Sequence, residues 1–375
     1  MSYHKLELHI SQVERAIAKS RRKFRSTRKS EIYNNLVLLF DKVKKSEYKV
    51  FNKELITVSR LALDLVFHGV MHLDYKSESD IPKHLIHCLE KVLDDWIPGG
   101  SSNYFIVISH NKSPDQFWIR ALDEEQLQQY NLYFNILFSI SYKQSLIQIN
   151  KPLFLFDNYL ASVPVYHEMG HFIEKNYQLV KNLFRNDASL NTKSELHYAE
   201  HFSDIFASQY IGKCSIEPLT YMSPDDNKVT HTHPSNTRRI DVVNAFLTGS
   251  GSREAIEIID NLKKITLERT GQELKIRSEA LRSNPFETFK PIRITSPSQL
   301  HTLFSLGWNS WLSDNSAIRQ KYPQSAQQCC DAINKIIKDS IDLYMPLQPW
   351  MAGGLSGVPS NILARVKRYK DVLAV

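Results

Sequence analysis

The chain is built around Val165-Tyr166-His167-Glu168-Met169-Gly170-His171-Phe172, which is followed after a polar loop by Ala199-Glu200-His201-Phe202-Ser203-Asp204-Ile205-Phe206-Ala207. The first of these stretches predicts a helix. Residues four apart lie one above the other on a helix, so His167 and His171 can present their imidazoles to one ion. Glu168 lies about a third of a turn from His167, close enough to hydrogen-bond a water on that ion. The spacing favours a hydrolytic zinc site.

A third ligand should lie on a neighbouring element, because catalytic zinc usually takes three protein ligands and keeps a fourth position for water. Residues 194–211 predict a second helix, since apolar residues recur there at helical spacing after a predicted capping box, Thr192-Lys193-Ser194-Glu195. Glu200 on this helix would complete a His/His/Glu ligand set. Asp204, one turn on, could accept a hydrogen bond from the distal nitrogen of a zinc-bound histidine. His197 and His201 are alternative third ligands.

These two motifs together resemble the gluzincin class of zinc peptidases, in which H-E-x-x-H is followed on a second helix by E-x-x-x-D. The resemblance implies three zinc ligands, which are His167, His171 and Glu200. It also implies that Glu168 is the general base and that Asp204 is the supporting carboxylate.

A third block, further along the chain, resembles the T-H-P-x-x-x-x-R-I signature of the heat-shock and prenyl-protein-processing zinc endopeptidases. It reads Thr232-His233-Pro234-Ser235-Asn236-Thr237-Arg238-Arg239-Ile240. The resemblance implies a zincin-like catalytic core with one Zn²⁺ ion per chain, acting on a protein or peptide substrate. Those relatives commonly carry transmembrane helices around the catalytic domain, and this chain is expected to differ from them in having none.

The T-H-P block also predicts a helix that starts at His233-Pro234 and ends near Leu247. If that start faces the metal, His233 could be catalytic by donating a hydrogen bond to the developing oxyanion. It could instead take the open coordination position and hold the enzyme inactive, or serve only as an N-cap. Arg239 is expected to anchor the helix to a core carboxylate. Gly170, in the middle of the first helix, predicts a close approach of backbone or substrate.

Length and composition are those of an ordinary globular protein: 375 residues, 42% hydrophobic and 23% charged. No apolar run approaches the roughly 18 to 20 residues of a membrane span, and the N-terminus does not open a secretory signal, so the sequence predicts a cytoplasmic protein. The cysteines show neither a disulfide spacing nor a C-x-x-C motif, which predicts reduced and mostly buried thiols at Cys88, Cys214, Cys329 and Cys330.

The net charge of +7 is concentrated between Lys19 and Lys29, where seven basic residues stand without an acid. Such a block can neutralise phosphates on nucleic acid or lie against an anionic membrane surface. The favoured interpretation of this block is a solvated helical face or connector, because no nucleic-acid-binding motif surrounds the block. A nucleic-acid-binding protein is therefore one alternative to a peptidase. The other is a zinc-bearing sensor or regulatory protein with a metallopeptidase-like domain and little general proteolytic activity.

The expected fold class is α+β and mostly helical. A zincin-like core with a small β-sheet (residues 99–250) would be flanked by N- and C-terminal helical regions (1–98 and 251–375). The sheet is expected from four apolar runs, whose edge strand could bind an extended substrate. These runs are Tyr104–Ser109, Phe117–Leu122, Leu132–Ile140 and Leu146–Phe156. Two further histidine pairs, His68/His72 and His84/His87, are expected to be structural.

Overall fold

The computed structural model describes residues 3–20, 27–46, 53–74, 80–111, 117–142, 145–152, 158–160, 163–185, 192–217 and 228–344. The chain opens with helices α1 (Tyr3–Lys19), α2 (Thr27–Lys45), α3 (Lys53–Asp74) and α4 (Asp80–Trp96). These contain the helices predicted for the N-terminal region. The heptad-like recurrence of buried apolar residues, such as Leu36, Leu39 and Val43 on α2, is what packs them together.

A small mixed sheet follows. After the short helix α5 (Gly100–Asn103), its strands are β1 (Tyr104–Asn111), β2 (Trp118–Arg120) and β3 (Ser145–Pro152), with helix α6 (Glu124–Phe138) between the last two. The strand order is β1-β3-β2, with β1 parallel and β2 antiparallel to β3. Three of the four predicted strands are confirmed. Residues 112–116, between β1 and β2, and residues 153–157, which include the end of the fourth predicted run, lie outside the described residues.

The prediction of a strand over Leu132–Ile140 is wrong, because most of this run lies in α6. Asp123 begins the helix with a capping box: its side chain accepts from Gln126 N at 2.8 Å, and the Gln126 side chain accepts from Asp123 N at 3.3 Å. Phe134 and Phe138, four residues apart, are then buried on one face. The apolar run alone does not distinguish a strand from a helix. The capping box at Asp123, upstream of the run, favours the helix.

The helices that carry the two main motifs are α7 (Val163–Tyr177) and α9 (Thr192–Ile211), with the short α8 (Leu179–Leu183) between them. Pro164 lies in the first turn of α7, where its missing amide donor has no intrahelical partner to lose. The second predicted helix is confirmed as α9. Its predicted capping box depends on the side chain of Thr192, which the structure does not describe.

The rest of the described chain is helical. It comprises α10 (Asn236–Thr248), α11 (Arg253–Thr270), α12 (Pro285–Thr288), α13 (Pro297–Leu312), α14 (Ala317–Lys321) and α15 (Ala326–Tyr344). The predicted helix start at His233-Pro234 is wrong by two to three residues, because the Ser235 hydroxyl caps α10 by accepting from Arg238 N at 3.3 Å. Gly249 ends α10 with φ 73°, as expected of a C-terminal glycine.

The sheet separates two buried cores. On one face Phe105, Val107 and Leu146 pack with α1, α2, α3 and α6. On the other face Ile106, Ile108, Ile147 and Ile149 join a larger core, which contains α4, α7, α9 and the C-terminal helices. Helix α4, from the predicted N-terminal region, therefore shares a core with the motif helices. The α+β, mostly helical class with a small sheet is confirmed, whereas the boundaries at residues 98 and 250 stay a prediction.

One described segment, Glu54–Leu73 of α3, is long and apolar enough to cross a membrane by length and composition alone. It carries Arg60 and Asp64 and buries Val66 and Val70, and a core helix passes the same test, so it is weak evidence for a span.

Of the basic block, residues 21–26 lie outside the described part of the chain. Arg28 is used inside the fold: it donates to Tyr104 O at 2.8 Å and lies over the Phe105 ring. Lys29 is buried as well. All four cysteines are free, and Cys88, Cys214 and Cys329 are buried, as predicted.

Candidate metal centre

Helices α7 and α9 touch backbone to backbone at Gly170. A Cβ atom on Gly170 would lie 2.7 Å from Ser203 Cα, closer than real contacts allow. The close backbone approach expected from a glycine in mid-helix is therefore confirmed, and its partner is the second motif helix. Because the helices meet there, side chains one and three residues from this contact on each helix face one another. These side chains are the two histidines of α7 and the two acids of α9.

Three potential ligand groups converge at this crossing. His167 Nε2 is 3.4 Å from Glu200 Oε2, and His171 Nε2 is 3.3 Å from Glu200 Oε1. One ligand atom from each of the three residues lies within 4.8 Å of the others. Ligands at about 2.0–2.1 Å from a tetrahedral ion are themselves about 3.3 Å apart, so the observed separations suit one ion.

A second set of contacts orients these groups. His167 Nδ1 is 3.0 Å from Asp204 Oδ1, so Nδ1 carries the proton and Nε2 keeps its lone pair for a metal. Arg239 holds Asp204 in turn, donating from Nε and Nη2 at 2.7 Å each, and its Nη2 is 3.2 Å from Glu200 Oε2. The predicted anchor between Arg239 and a core carboxylate is confirmed.

The electrostatics of the cluster call for a cation. Burial alone would raise the pKa of Glu200, but His167, His171 and Arg239 outweigh it and hold that pKa well below its usual range. Burial alone would lower the pKa of His167, but Asp204 and Glu200 raise it to about 10. The carboxylates thus hold a positive charge between them, which is a proton on His167 when no metal ion replaces it.

Glu200 Oε2 provides a separate test of fit. This atom is buried and makes no hydrogen bond of good geometry, although Arg239 Nη2 lies 3.2 Å and His167 Nε2 lies 3.4 Å from it. Buried carboxylate oxygens are rarely left without a hydrogen bond or an ion. An oxygen in this position with two imidazole nitrogens is a donor set for a divalent cation. The His167/His171/Glu200 group could therefore hold a metal ion.

The two residues predicted to act on substrate lie around this group. Glu168 is half-buried on α7, next to His167. Its carboxylate contributes with those of Asp204 and Glu200 to raising the pKa of Arg239 against the effect of burial. His233 precedes α10, and its Nε2 is 3.5 Å from Glu200 Oε1, with 54% of the side chain exposed. His233 therefore lies beside the group of three potential ligands, and Glu168 lies near enough to Arg239 to act on its charge.

The alternative third ligands are directed elsewhere. His197 Nε2 donates to Thr230 O at 3.0 Å. His201 is fully buried near the Tyr198 ring, and burial lowers its pKa to about 4, so the imidazole is neutral. Neither belongs to the convergent group that the described residues form.

The other histidine pairs make contacts within the fold. His72 Nδ1 is 3.0 Å from Ser109 Oγ, and the His68 and His72 rings stack with centroids 6.5 Å apart. His84 contacts the Tyr159 hydroxyl and lies 3.0 Å from Asp342 Oδ1.

The motifs gave no indication of two features beside the centre: the contact of His197 with the loop before α10, and that of Thr232 with His233, whose Nδ1 lies 2.7 Å from Thr232 Oγ1. The only available signal was the hydroxyl residue directly before His233. Comparison of the chain with protein-family models, curated proteins and solved structures finds no match.

Proposed function

We propose that this protein is a zinc-dependent metallopeptidase that hydrolyses peptide bonds in a protein or peptide substrate. The observation that carries the proposal is the convergence of His167, His171 and Glu200 at distances suited to one ion. With three protein ligands, a tetrahedral ion keeps one position for water, which is the arrangement of catalytic zinc.

Zinc is the metal that this donor set favours. Two neutral imidazoles and one carboxylate suit zinc, whereas calcium and magnesium prefer oxygen ligands alone. The hydrogen bond from His167 Nδ1 to Asp204 strengthens the choice, because zinc-bound histidines commonly donate their other ring proton to a carboxylate.

The residues around the ion have separate tasks in the proposed reaction. A zinc ion held by His167, His171 and Glu200 would lower the pKa of a coordinated water to about 7 and would polarise the scissile carbonyl. Glu168 accepts the proton of the attacking water and passes it to the nitrogen of the leaving amine. Asp204, held by Arg239, keeps the His167 ring in its orientation. His233 offers a polar ring nitrogen on the exposed side.

Strand β2 gives the proposal a place for an extended substrate. It lies at an edge of the sheet and contacts α7, whereas β3 is enclosed between β1 and β2. Among the residues that the structure describes, the main chain of Trp118–Arg120 pairs only with β3, so an extended peptide could add to its other side by main-chain hydrogen bonds. We place the protein in the cytoplasm, as the sequence predicts.

The test combines metal analysis with hydrolysis by the purified full-length chain. We expect about one zinc per chain and cleavage of a quenched fluorescent peptide library. Glu168→Gln should keep the zinc and lower kcat by about 10²- to 10⁴-fold, the range of general acid–base catalysis. Glu174→Gln is the matched control. It removes a charge from the same helix, and its amide oxygen can still accept from Val180 N.

Each unfavourable outcome identifies a different error. A protein without zinc contradicts the proposal. Zinc bound without any hydrolysis favours the sensor or regulatory alternative. Full activity of Glu168→Gln shows that another group is the base.

A further inference from the structure

Strand β2 presents two side chains towards α3. Successive side chains of a strand point to opposite faces, so Trp118 and Arg120 share one face of the sheet and Ile119 lies on the other. Ile119 packs against the larger core, which contains α7, whereas the Trp118 ring lies edge to face with His72 of α3 at a centroid distance of 6.2 Å. A peptide added to the open side of β2 would therefore pass Trp118 and Arg120 on its α3 side.

Arg120 carries a charge that the fold does not use. The side chain is exposed, and it neither forms an ion pair with, nor donates a hydrogen bond to, any residue in the described part of the chain. Gln148, its partner in register on β3, has a buried Oε1 without a hydrogen-bond partner, so the guanidinium does not donate to it. An unpaired cation on an edge strand is available to an acidic side chain on an added strand.

The groups around Arg120 leave its charge uncompensated. Burial lowers the pKa of both His68 and His72, and Arg120 adds to the effect, so the two imidazoles are neutral at pH 7. The acid that acts on His68 is Asp64, whose carboxylate already lies 3.9 Å from Arg60 Nε. No acid in the described ranges therefore neutralises Arg120 directly.

From this geometry we infer that the edge of β2 selects peptides with an acidic side chain, which pairs with Arg120, and a large apolar side chain two residues away, which packs on Trp118. The inference rests on the proposed function, because it takes the peptide on β2 to be the substrate. Side chains directly opposite one another on paired strands have Cβ atoms roughly 4.5–5.5 Å apart, within reach of an arginine–carboxylate pair. The peptide residue between the two would face the same side as Ile119, towards α7.

A charge on an edge strand has an alternative purpose. Such charges discourage the strand from pairing with other chains. If Arg120 served only that purpose, its removal would strengthen the binding of every extended peptide alike. If Arg120 selects an acidic side chain, its removal weakens the binding of acidic peptides alone. The two purposes therefore predict opposite results for the same variant.

The first test measures binding and needs no hydrolysis. The probe is a fluorescein-labelled peptide, Ala-Phe-Ala-Glu-Ala-Phe-Ala, which has the same pattern in both strand directions. Its anisotropy is followed on titration with Glu168→Gln protein, beside peptides with Gln or Lys in place of Glu. We expect the Glu peptide to bind about two- to fivefold more tightly than the Gln peptide, and the Lys peptide most weakly. The difference should shrink in about 1 M salt, because the pair is exposed. Equal binding of the three peptides, or binding of none, overturns the inference.

The second test identifies the partner of the acid. In Arg120→Met the Glu and Gln peptides should bind alike, and in Arg120→Glu the order should reverse. The ratio of the affinities for the Glu and Lys peptides should change by at least about tenfold between wild type and Arg120→Glu. Arg15→Met, which removes an exposed arginine from α1, is the matched control and should keep the wild-type order. If Arg120→Met binds all three peptides more tightly by one factor, Arg120 only blocks pairing and the inference fails.

The third test concerns the apolar position. Replacing both Phe residues of the probe by Ala should weaken binding to the wild type by about two- to tenfold, the range of aromatic pairs, and binding to Trp118→Leu by less. Hydrogen exchange of amides in Trp118–Arg120 should slow in the presence of the Glu peptide. Equal losses in the wild type and in Trp118→Leu, or unchanged exchange, would show that the peptide binds elsewhere and would overturn the inference.

Hydrolysis separates failure of this inference from failure of the proposed function. Replacing Glu by Gln in a quenched form of the probe should raise KM by about two- to fivefold with kcat unchanged, because the pair is made equally in the ground and transition states. If both peptides are cleaved with the same KM and Arg120→Met changes neither, the inference fails and the proposed function stands. If the wild type hydrolyses neither, the proposed function fails, and the binding measurements still decide whether the edge of β2 selects acidic peptides.

Discussion

Two histidine pairs with the same spacing have opposite surroundings in this protein. His167 and His171 on α7 face Glu200 and Asp204, with ring centroids 4.6 Å apart at 89°. In the other pair, on α3, the rings stack at 25°. Within that pair His72 contacts Ser109 and the edge of the Trp118 ring.

The two pairs also have opposite pKa shifts. The pKa of His167 is raised to about 10 by the two acids on α9, whereas that of His72 is lowered to about 4 by burial, with His68 and Arg120 adding to the effect. Helical spacing places two imidazoles on the same face of a helix. The charge on the element that faces them decides whether they attract a cation.

Replacing each histidine pair by alanine tests this difference between the pairs with the largest expected effect. We expect His167→Ala/His171→Ala to lose essentially all of about one zinc per chain, because two of the three ligands are gone. The matched variant His68→Ala/His72→Ala should retain it. Metal analysis by mass spectrometry of both dialysed proteins is the measurement. Retained zinc in the first variant, or lost zinc in the second, would reverse the assignment of the two pairs.

The arginines beside the two pairs differ just as sharply. Arg239 is 5% exposed and bonded to Asp204, whereas Arg120 is exposed and lies near His68 and His72. Arg239→Met removes the guanidinium that pairs with buried Asp204 through two hydrogen bonds, so we expect it to lower the free energy of unfolding by about 3–5 kcal/mol. Arg120→Met should change it by less than about 0.5 kcal/mol. Urea unfolding at pH 7 measures both, and equal losses would show that burial of the arginine is unimportant.

The two pairs should respond to pH with opposite signs. The folded pKa of His72, about 4, lies below the unfolded value of about 6.5, so its contribution is present above pH 6.5 and is lost as pH falls towards 4. This amounts to about 3 kcal/mol in the wild type relative to His72→Gln. His167, with its folded pKa raised, contributes below pH 6.5 in the metal-free protein and loses that contribution as pH rises through about 10.

Urea unfolding of wild type and His72→Gln between pH 7 and pH 4.5 measures the first of these effects. His4→Gln is the control, because the His4 side chain is 89% exposed. A difference between wild type and His72→Gln that does not change with pH would contradict the half-buried, neutral state of His72.

A glycine also lies between the two histidines of each pair, and replacing these glycines has the smallest expected effect on stability. A Cβ on Gly170 would meet backbone, Ser203 Cα at 2.7 Å, whereas one on Gly69 would meet the end of a flexible side chain, Leu36 Cδ1 at 2.6 Å. We expect Gly170→Ala to cost about 1–3 kcal/mol, as overpacking does, and Gly69→Ala to cost less because Leu36 can change rotamer. Thermal unfolding of the two variants ranks them, and a larger loss for Gly69→Ala would contradict the ranking.

Local patterns predicted much of the fold and of the centre. Helix periodicity located the helices on both sides of the motifs, and the two motifs named residues that the structure brings together. Periodicity failed at residues 132–140, where an apolar run without clear alternation belongs to a helix that its cap at Asp123 starts. The His233-Pro234 pair placed the start of α10 too early, since the capping hydroxyl of Ser235 decides that position.

What could not be predicted depends on contacts between distant segments. The T-H-P block did not show that His197 would hold its loop, because 33 residues separate His197 from Thr230. Nor did composition show that α4 would pack with α7 and α9, on the opposite side of the sheet from α1 to α3.

Strand β3 has a consequence for how the molecule melts. Leu146 faces the N-terminal core. Ile147 and Ile149, on the opposite face of the same strand, belong to the core beneath the candidate metal centre. Alternate residues of one strand therefore belong to different cores. Unfolding of either core would remove part of the strand against which the other core packs. Calorimetry should therefore show one cooperative unfolding transition for the two cores. A truncated chain that lacks α1 to α3 would expose the apolar face of the sheet to water, and we expect it to aggregate.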